Sequence, residues 1–239
     1  MIIQQVLYHL YSAGSRKARN LPGGGQFDYS AEQTNALGRN MKRILAIYGS
    51  PRRKGNTALL LKRAVEGAKE AGADVEEIVL RDLKMSPCLE IYGCKETGRC
   101  AIKDDFQAVY DKLLACDGLM LASPIFFYTV SAHTKILMDR CQSLWVKRYW
   151  LEKTPFGKKE FKRKGLFVSV GATKGKRLFD GVLITVRYFF DALDMELWNS
   201  LLYRELDFEG DVLKHPEYLE EAYATGQRFI QALSCHDPA

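Results

Sequence analysis

Between Gly49 and Thr57 the chain reads Gly-Ser-Pro-Arg-Arg-Lys-Gly-Asn-Thr, a mixture of small residues, hydroxyls and cations suited to holding an anion. Glycine and serine let backbone N–H groups turn toward one point, and Ser50, Asn56 and Thr57 supply side-chain donors there. A helix starting at Asn56 would aim its positive dipole end at the same point. Arg52, Arg53 and Lys54 add charge, although some of them must face solvent. The chemistry indicated is recognition of a phosphate. Spacing excludes two familiar nucleotide loops. A Walker loop needs four residues between its glycines followed by Lys-Ser/Thr, whereas here five separate Gly49 from Gly55 and Asn56 stands in the place of the lysine. The dinucleotide pattern Gly-x-Gly-x-x-Gly is absent, and phosphoryl transfer from ATP is not expected.

Two other stretches carry reactive or recognition chemistry. Ser123-Pro-Ile-Phe-Phe-Tyr128 places two phenylalanines and a tyrosine where a strand should end, which suits the apolar wall of a flat ligand. Cys88, Cys94 and Cys100 crowd into one short segment, and in a cytosolic protein that points to metal or redox chemistry. Cys116, Cys141 and Cys235 read as packing residues. His133 reads as a surface residue, and neither a Ser-His-Asp pattern nor His-Glu-x-x-His occurs.

The elements that must position these residues follow from hydrophobic period. Arg43–Tyr48 is a short apolar run of the kind buried in a parallel sheet. Asn56–Ala71 has Leu60, Leu61, Ala64, Val65 and Ala68 at helical spacing, with Gly72 at the stop. Further strands are predicted at Val75–Leu80, Gly118–Ala122, Gly165–Val170 and Glu196–Tyr203. Helices are predicted at Asp104–Cys116, Ser131–Cys141, Leu178–Leu193 and Pro216–Leu233, the last with proline in its first turn. Strands alternating with helices imply right-handed crossovers and a three-layer, doubly wound sheet. Ligands in such sheets bind beyond the strands' carboxyl ends, so the loops to search start near Gly49, Ser123 and Gly171.

Residues 1–40 lack sustained periodicity and include a Pro-Gly-Gly-Gly break at 22–25. They are expected to be a flexible extension, or translation upstream of a natural start at Met41, ahead of one domain over 41–239. The net charge of +6 is too mild for a dedicated nucleic-acid binder. No apolar run approaches the roughly 20 residues of a membrane span, and residues 1–12 do not form a secretory signal. A cytoplasmic protein with neither a membrane nor a nucleic-acid partner is expected. Lys147–Lys164 is strongly basic. It reads as a solvated loop, with attraction of a cofactor phosphate such as that of NADPH, or of an acidic redox partner, as the functional alternative. Trp145, Tyr149 and Trp150 beside it are candidates to shield a flat cofactor or join a subunit interface.

The Gly49–Thr57 loop resembles the FMN phosphate loop of the NAD(P)H-dependent FMN reductases and iron–sulfur flavoproteins. Ser123–Arg140 is similar to the loop those proteins place beside the isoalloxazine. The resemblance runs from about Met41 to Leu233. It implies an α/β, flavodoxin-like three-layer sandwich with a five-stranded parallel sheet in the order 2-1-3-4-5. It also implies that Ser50, Arg52, Asn56 and Thr57 hold the FMN phosphate, that Pro124, Ile125, Phe126 and Phe127 line the ring, and that Gly171 and Ala172 form a third flavin loop. NADH or NADPH would be the co-substrate, the acceptor a small molecule (flavin, quinone or nitro compound), and the assembly a dimer or tetramer. No catalytic side chain is assigned, because the cofactor carries the chemistry. The alternative is an electron carrier working with ferredoxin through an iron–sulfur cluster. The cysteine segment resembles the cluster-binding segment of iron–sulfur flavoproteins, spaced C-x2-C-x2-C-x5-C. Cys88, Cys94 and Cys100 match its first, third and fourth positions, and Ile91 occupies the second. Because isoleucine cannot ligate iron, four readings stand open: a relic of a lost site, a cluster with an outside or non-cysteine fourth ligand, a zinc site, or a redox-active thiol pair.

Overall fold

The computed structural model describes residues 41–156 and 163–234. The expected extension over 1–40, Cys235, and the basic residues Lys158, Lys159 and Lys162 lie outside them.

The first strand shows how the layers arise. In β1 (Arg43–Tyr48) the side chains alternate across the sheet. Ile44 and Ala46 enter one apolar cluster, while Leu45 and Ile47 enter the other. Both faces are therefore buried, which is why the strand reads as an unbroken apolar run. α1 (Asn56–Glu70) follows, then β2 (Asp74–Val79), α2 (Phe106–Ala115), β3 (Gly118–Ala122), α3 (Ala132–Arg140), β4 (Arg163–Val170), α4 (Asp180–Ala192), β5 (Met195–Tyr203) and α5 (Pro216–Ser234). All strand pairs are parallel and the order is 2-1-3-4-5, the order expected. α1 and α5 cover the Ile44 face, and α2, α3 and α4 the Leu45 face. The two outer helices approach closely because Gly226 faces α1, where a Cβ would lie 1.9 Å from the carbonyl oxygen of Ala64.

Differences from the expected elements have local causes. α2 begins at Phe106 rather than Asp104, because the Asp104 carboxylate is drawn out of the helix to accept from the N–H groups of Phe106 (3.1 Å) and Ser86 (2.9 Å). Leu178 and Phe179 turn before α4 instead of starting it. β4 begins two residues early, at Arg163, whose guanidinium donates to the carbonyls of Leu113, Cys116 and Leu193.

The basic stretch after α3 is not simply a solvated loop. Val146–Leu151 forms a wide helical turn, Arg148 is buried and paired with Asp194, and Tyr149 donates to Asp191 (2.6 Å) and stacks on Phe156. Asp194 and Arg163 stand at the amino ends of β5 and β4, so Val146–Leu151, paired there through Arg148, lies at the opposite end of the sheet from the loops after Gly49, Ser123 and Gly171. That position removes Trp145, Tyr149 and the neighbouring cations as parts of a site at the carboxyl ends. Among the described residues no helix is long and apolar enough to cross a membrane.

Candidate functional site

Beyond the carboxyl ends of β1, β3, β4 and β5, four loops enclose one cleft of about 140 Å³, open to solvent. It is lined by Ser50, Arg52, Asn56 and Thr57 from the first loop, Pro124, Ile125 and Phe126 from the second, and Gly171 and Ala172 from the third. Leu206 and Asp207, from the loop after β5, complete it. Nine of the ten residues predicted for the site therefore meet at one place. Phe127 does not join them: it is fully exposed at the tip of its loop. Leu206 and Asp207 were missed, although the carboxyl-end rule applied to the fifth strand would have found them.

The first loop forms the polar end. Its opening hydrogen bond in α1 runs from the N–H of Ala58 to the carbonyl of Gly55 (2.9 Å), which leaves the Asn56 and Thr57 amides ahead of the helical ladder. Ser50 accepts from the N–H of Arg52 (3.1 Å), leaving its own hydroxyl proton to donate elsewhere. Arg52 reaches across to the carbonyl of Asp207 (3.2 Å). The amide of Asn56 has a different task from the one its sequence position suggests. Its Nδ2 donates to the carbonyl of Phe208 (2.9 Å), and its Oδ1 accepts from the N–H of Val212 (3.2 Å). The side chain thus fastens the loop after β5 to the start of α1.

The second loop is held from below by serines. Ser169 donates to the carbonyl of Ser123 (2.7 Å), the N–H of Ser131 donates to Ser123 Oγ (2.9 Å), and Ser131 Oγ donates to the carbonyl of Gly49 (2.5 Å). The N–H of Ile125 reaches the carbonyl of Val170 (3.0 Å). Phe126 and Thr129 exchange backbone hydrogen bonds around a tight turn, and Phe127 and Tyr128 adopt left-handed conformations with φ of 49° and 61°. The result is a rigid apolar wall of Pro124, Ile125 and Phe126 against the polar cradle. The arrangement suits a flat, amphipathic ring carrying a phosphate.

The cysteine segment lies beside α3. Arg140, fully buried at the end of that helix, donates through Nε to Cys100 Sγ (3.1 Å) and grips Asp104 through two bonds of 2.7 and 3.0 Å. It also donates to the carbonyls of Ser86 and Ile102, so one guanidinium ties both ends of the segment together. Burial pushes the Asp104 carboxyl up, but the Arg140 bonds and the two backbone N–H donors outweigh it and hold the group below the usual carboxylate range. Burial, and then the neighbouring Cys100 sulfur, push the Cys94 thiol up. Burial raises Cys116 to about 11 and Cys141 further still, consistent with packing thiols. Ile91 is exposed between Glu90 and Tyr92, both left-handed. Among the described residues no three His, Cys, Asp or Glu side chains are gathered as a metal site.

The sequence model of the NADPH-dependent FMN reductase family matches residues 42–196. An iron–sulfur flavoprotein of Methanocaldococcus jannaschii is 42% identical over 102 residues, 43% of this chain and 53% of that one. The chain thus spans about half the length of that relative. A Bacillus subtilis protein named for NAD(P)H-dependent, FMN-containing oxidoreductase activity is 26% identical over 181 residues, 75% of this chain and 94% of its own. Among solved structures, a flavone reductase superposes with a TM-score of 0.60 at 21% identity, over 80% of this chain and 63% of that one. At that identity the likeness speaks to the fold.

Proposed function

Because the chain belongs to the NADPH-dependent FMN reductase family, we propose that it is an FMN-dependent oxidoreductase passing electrons from NAD(P)H to a small acceptor such as a free flavin, a quinone or a nitro compound. The observation that carries this reading is the single cleft with an amide-lined anion cradle at one side and an apolar wall at the other. FMN fits these residues in kind: a phosphate needs convergent donors, and a ring needs a water-excluding face with few hydrogen bonds. FMN bound there would supply the redox chemistry that links a nicotinamide donor to the acceptor.

The chain's residues do the binding and positioning. The Asn56 and Thr57 amides, the Ser50 hydroxyl and the Arg52 guanidinium hold the phosphate. The Asn56 side chain keeps the loop after β5 closed against them. Pro124, Ile125 and Phe126 exclude water from one face of the ring, and Ser123, Ser131 and Ser169 keep that wall from yielding. No side chain is asked to act as acid or base. On the same reading the protein works in the cytoplasm as a homo-oligomer.

The alternative, an electron carrier for ferredoxin, needs an iron–sulfur cluster, and the residues do not fit one. Such clusters normally take four thiolates. The segment offers Cys88, Cys94 and Cys100, with the exposed Ile91 at the remaining position. No step is therefore routed through a cluster. The test is a visible spectrum of the protein reconstituted with FMN, followed by anaerobic addition of NADPH or NADH. A bound yellow cofactor bleached by nicotinamide is expected. Protein that stays colourless after reconstitution overturns the reading.

A further inference from the structure

Lys147, Arg148 and Arg163 lie at the wrong end of the sheet to meet a co-substrate, yet a different set of cations stands at the cleft. Gly171 and Ala172 line it, and their loop continues as Thr173-Lys174-Gly175-Lys176-Arg177, exposed throughout. Arg204, just past β5, braces this loop: its Nε donates to the carbonyl of Gly175 and one terminal nitrogen to that of Lys176, each at 3.2 Å. Beneath it lies the Phe179 ring, 4.9 Å from the guanidinium carbon.

Charge on the loop is only partly compensated. Lys174 pairs with Glu205 (3.1 Å) and Arg177 with Asp180 (2.8 Å), while Lys176 and Arg204 have no acidic partner among the described residues. Four cations against two carboxylates leave a local excess of +2. The aromatic tip of the second loop leans on the same place. Gly181, opening α4, comes so near it that a Cβ would lie 2.7 Å from the carbonyl oxygen of Tyr128, and Arg177 is within electrostatic reach of the Tyr128 phenol. In strand order β4 is two places from β1, so this patch stands roughly 10 Å from the phosphate cradle. It is available to a second phosphorylated ligand approaching the flavin.

We propose that Lys176 and Arg177, on the loop braced by Arg204, bind the 2′-phosphate of NADPH and make this chain select NADPH over NADH. The proposal rests on the oxidoreductase reading above. NADPH and NADH differ only by that phosphate, so discrimination requires cations placed where the adenosine end lies. Arginine offers a forked donor set for phosphate, lysine a point charge, and the exposed rings of Phe127 and Tyr128 a surface for adenine. Arg204 is a positioning residue, acting through the loop carbonyls.

The test uses FMN-loaded protein, wild type and the double variant K176E/R177E, with kcat/KM measured for NADPH and NADH against one acceptor. Adenosine 2′,5′-bisphosphate serves as a competitor, and flavin content is measured in each sample. The wild type is expected to favour NADPH by about tenfold or more, the effect of a single charge-assisted hydrogen bond. The variant is expected to lose that preference and most of its inhibition by the bisphosphate, with flavin retained. A preference near one in the wild type, or one unmoved in the variant, while NADH is still oxidised, overturns this proposal alone. Flavin-loaded protein that oxidises neither nicotinamide overturns this proposal and the oxidoreductase reading together.

Discussion

Asn56→Asp probes the anion cradle and its scaffold at once. The side chain is 6% exposed, and its Nδ2 donates to the carbonyl of Phe208 at 2.9 Å. Aspartate keeps an acceptor for the N–H of Val212 but sets an oxygen against the Phe208 oxygen, leaving that buried carbonyl without its donor. This costs about 1–3 kcal/mol of stability. The larger effect falls on the ligand. A carboxylate roughly one helical pitch, about 5.4 Å, from a bound phosphate repels each unit of its charge by about 3 kcal/mol at an effective dielectric of about 20. That is about a hundredfold in Kd. Asn56→Ala loses both hydrogen bonds and adds no charge, so it should lower the melting temperature at least as much but weaken FMN far less. The assay is fluorescence titration of apoprotein with FMN, paired with thermal melts of all three proteins. Equal FMN affinity in Asn56→Asp and wild type would refute the placement of the phosphate at this loop.

Four further outcomes follow from the geometry. Arg140→Met removes the fully buried guanidinium that neutralises the half-buried Asp104 carboxylate and should cost about 3–5 kcal/mol, read as a drop of roughly 10 °C in thermal melting. Because the Asp104 carboxyl is held below its ordinary value, its stabilisation is present above about pH 4 and is lost as pH falls through the lower folded-state value; an acid melt of Asp104→Asn should lack that component, and identical acid curves would contradict it. Anaerobic reconstitution with ferrous iron and sulfide should leave the wild type without stoichiometric iron by metal analysis, whereas Ile91→Cys, which supplies a fourth thiol, should raise the uptake. Gly226→Val would drive side-chain atoms into the Ala64 carbonyl of α1 and should cost about 3 kcal/mol in a denaturant titration.

What the amino-acid order alone determined is whatever depends on neighbours along the chain. The buried strands, the helical stripes and the start of α1 at Asn56 are local patterns, and with the carboxyl-end rule they were enough to bring Ser50, Arg52, Thr57, Pro124 and Gly171 together at one edge. The mismatch with a Walker loop is equally local, since it lies in the spacing of Gly49 and Gly55 and in Asn56. Tertiary structure alone decided the tasks that depend on distant partners. Asn56 looked like a phosphate donor, but its amide meets Phe208 and Val212, more than 150 positions away. Lys147 and Arg148 looked like candidates for a cofactor phosphate until the sheet placed them at the far pole, and the cations beside the cleft gain significance only from Arg204 bracing their loop. Arg140 gave no sign in its helix that its guanidinium would bind Cys100, Asp104 and two carbonyls. The physical reason is common to these cases. Periodicity reports which face of an element is buried, whereas a polar side chain takes its role from whichever group the packed chain brings within about 3 Å of it.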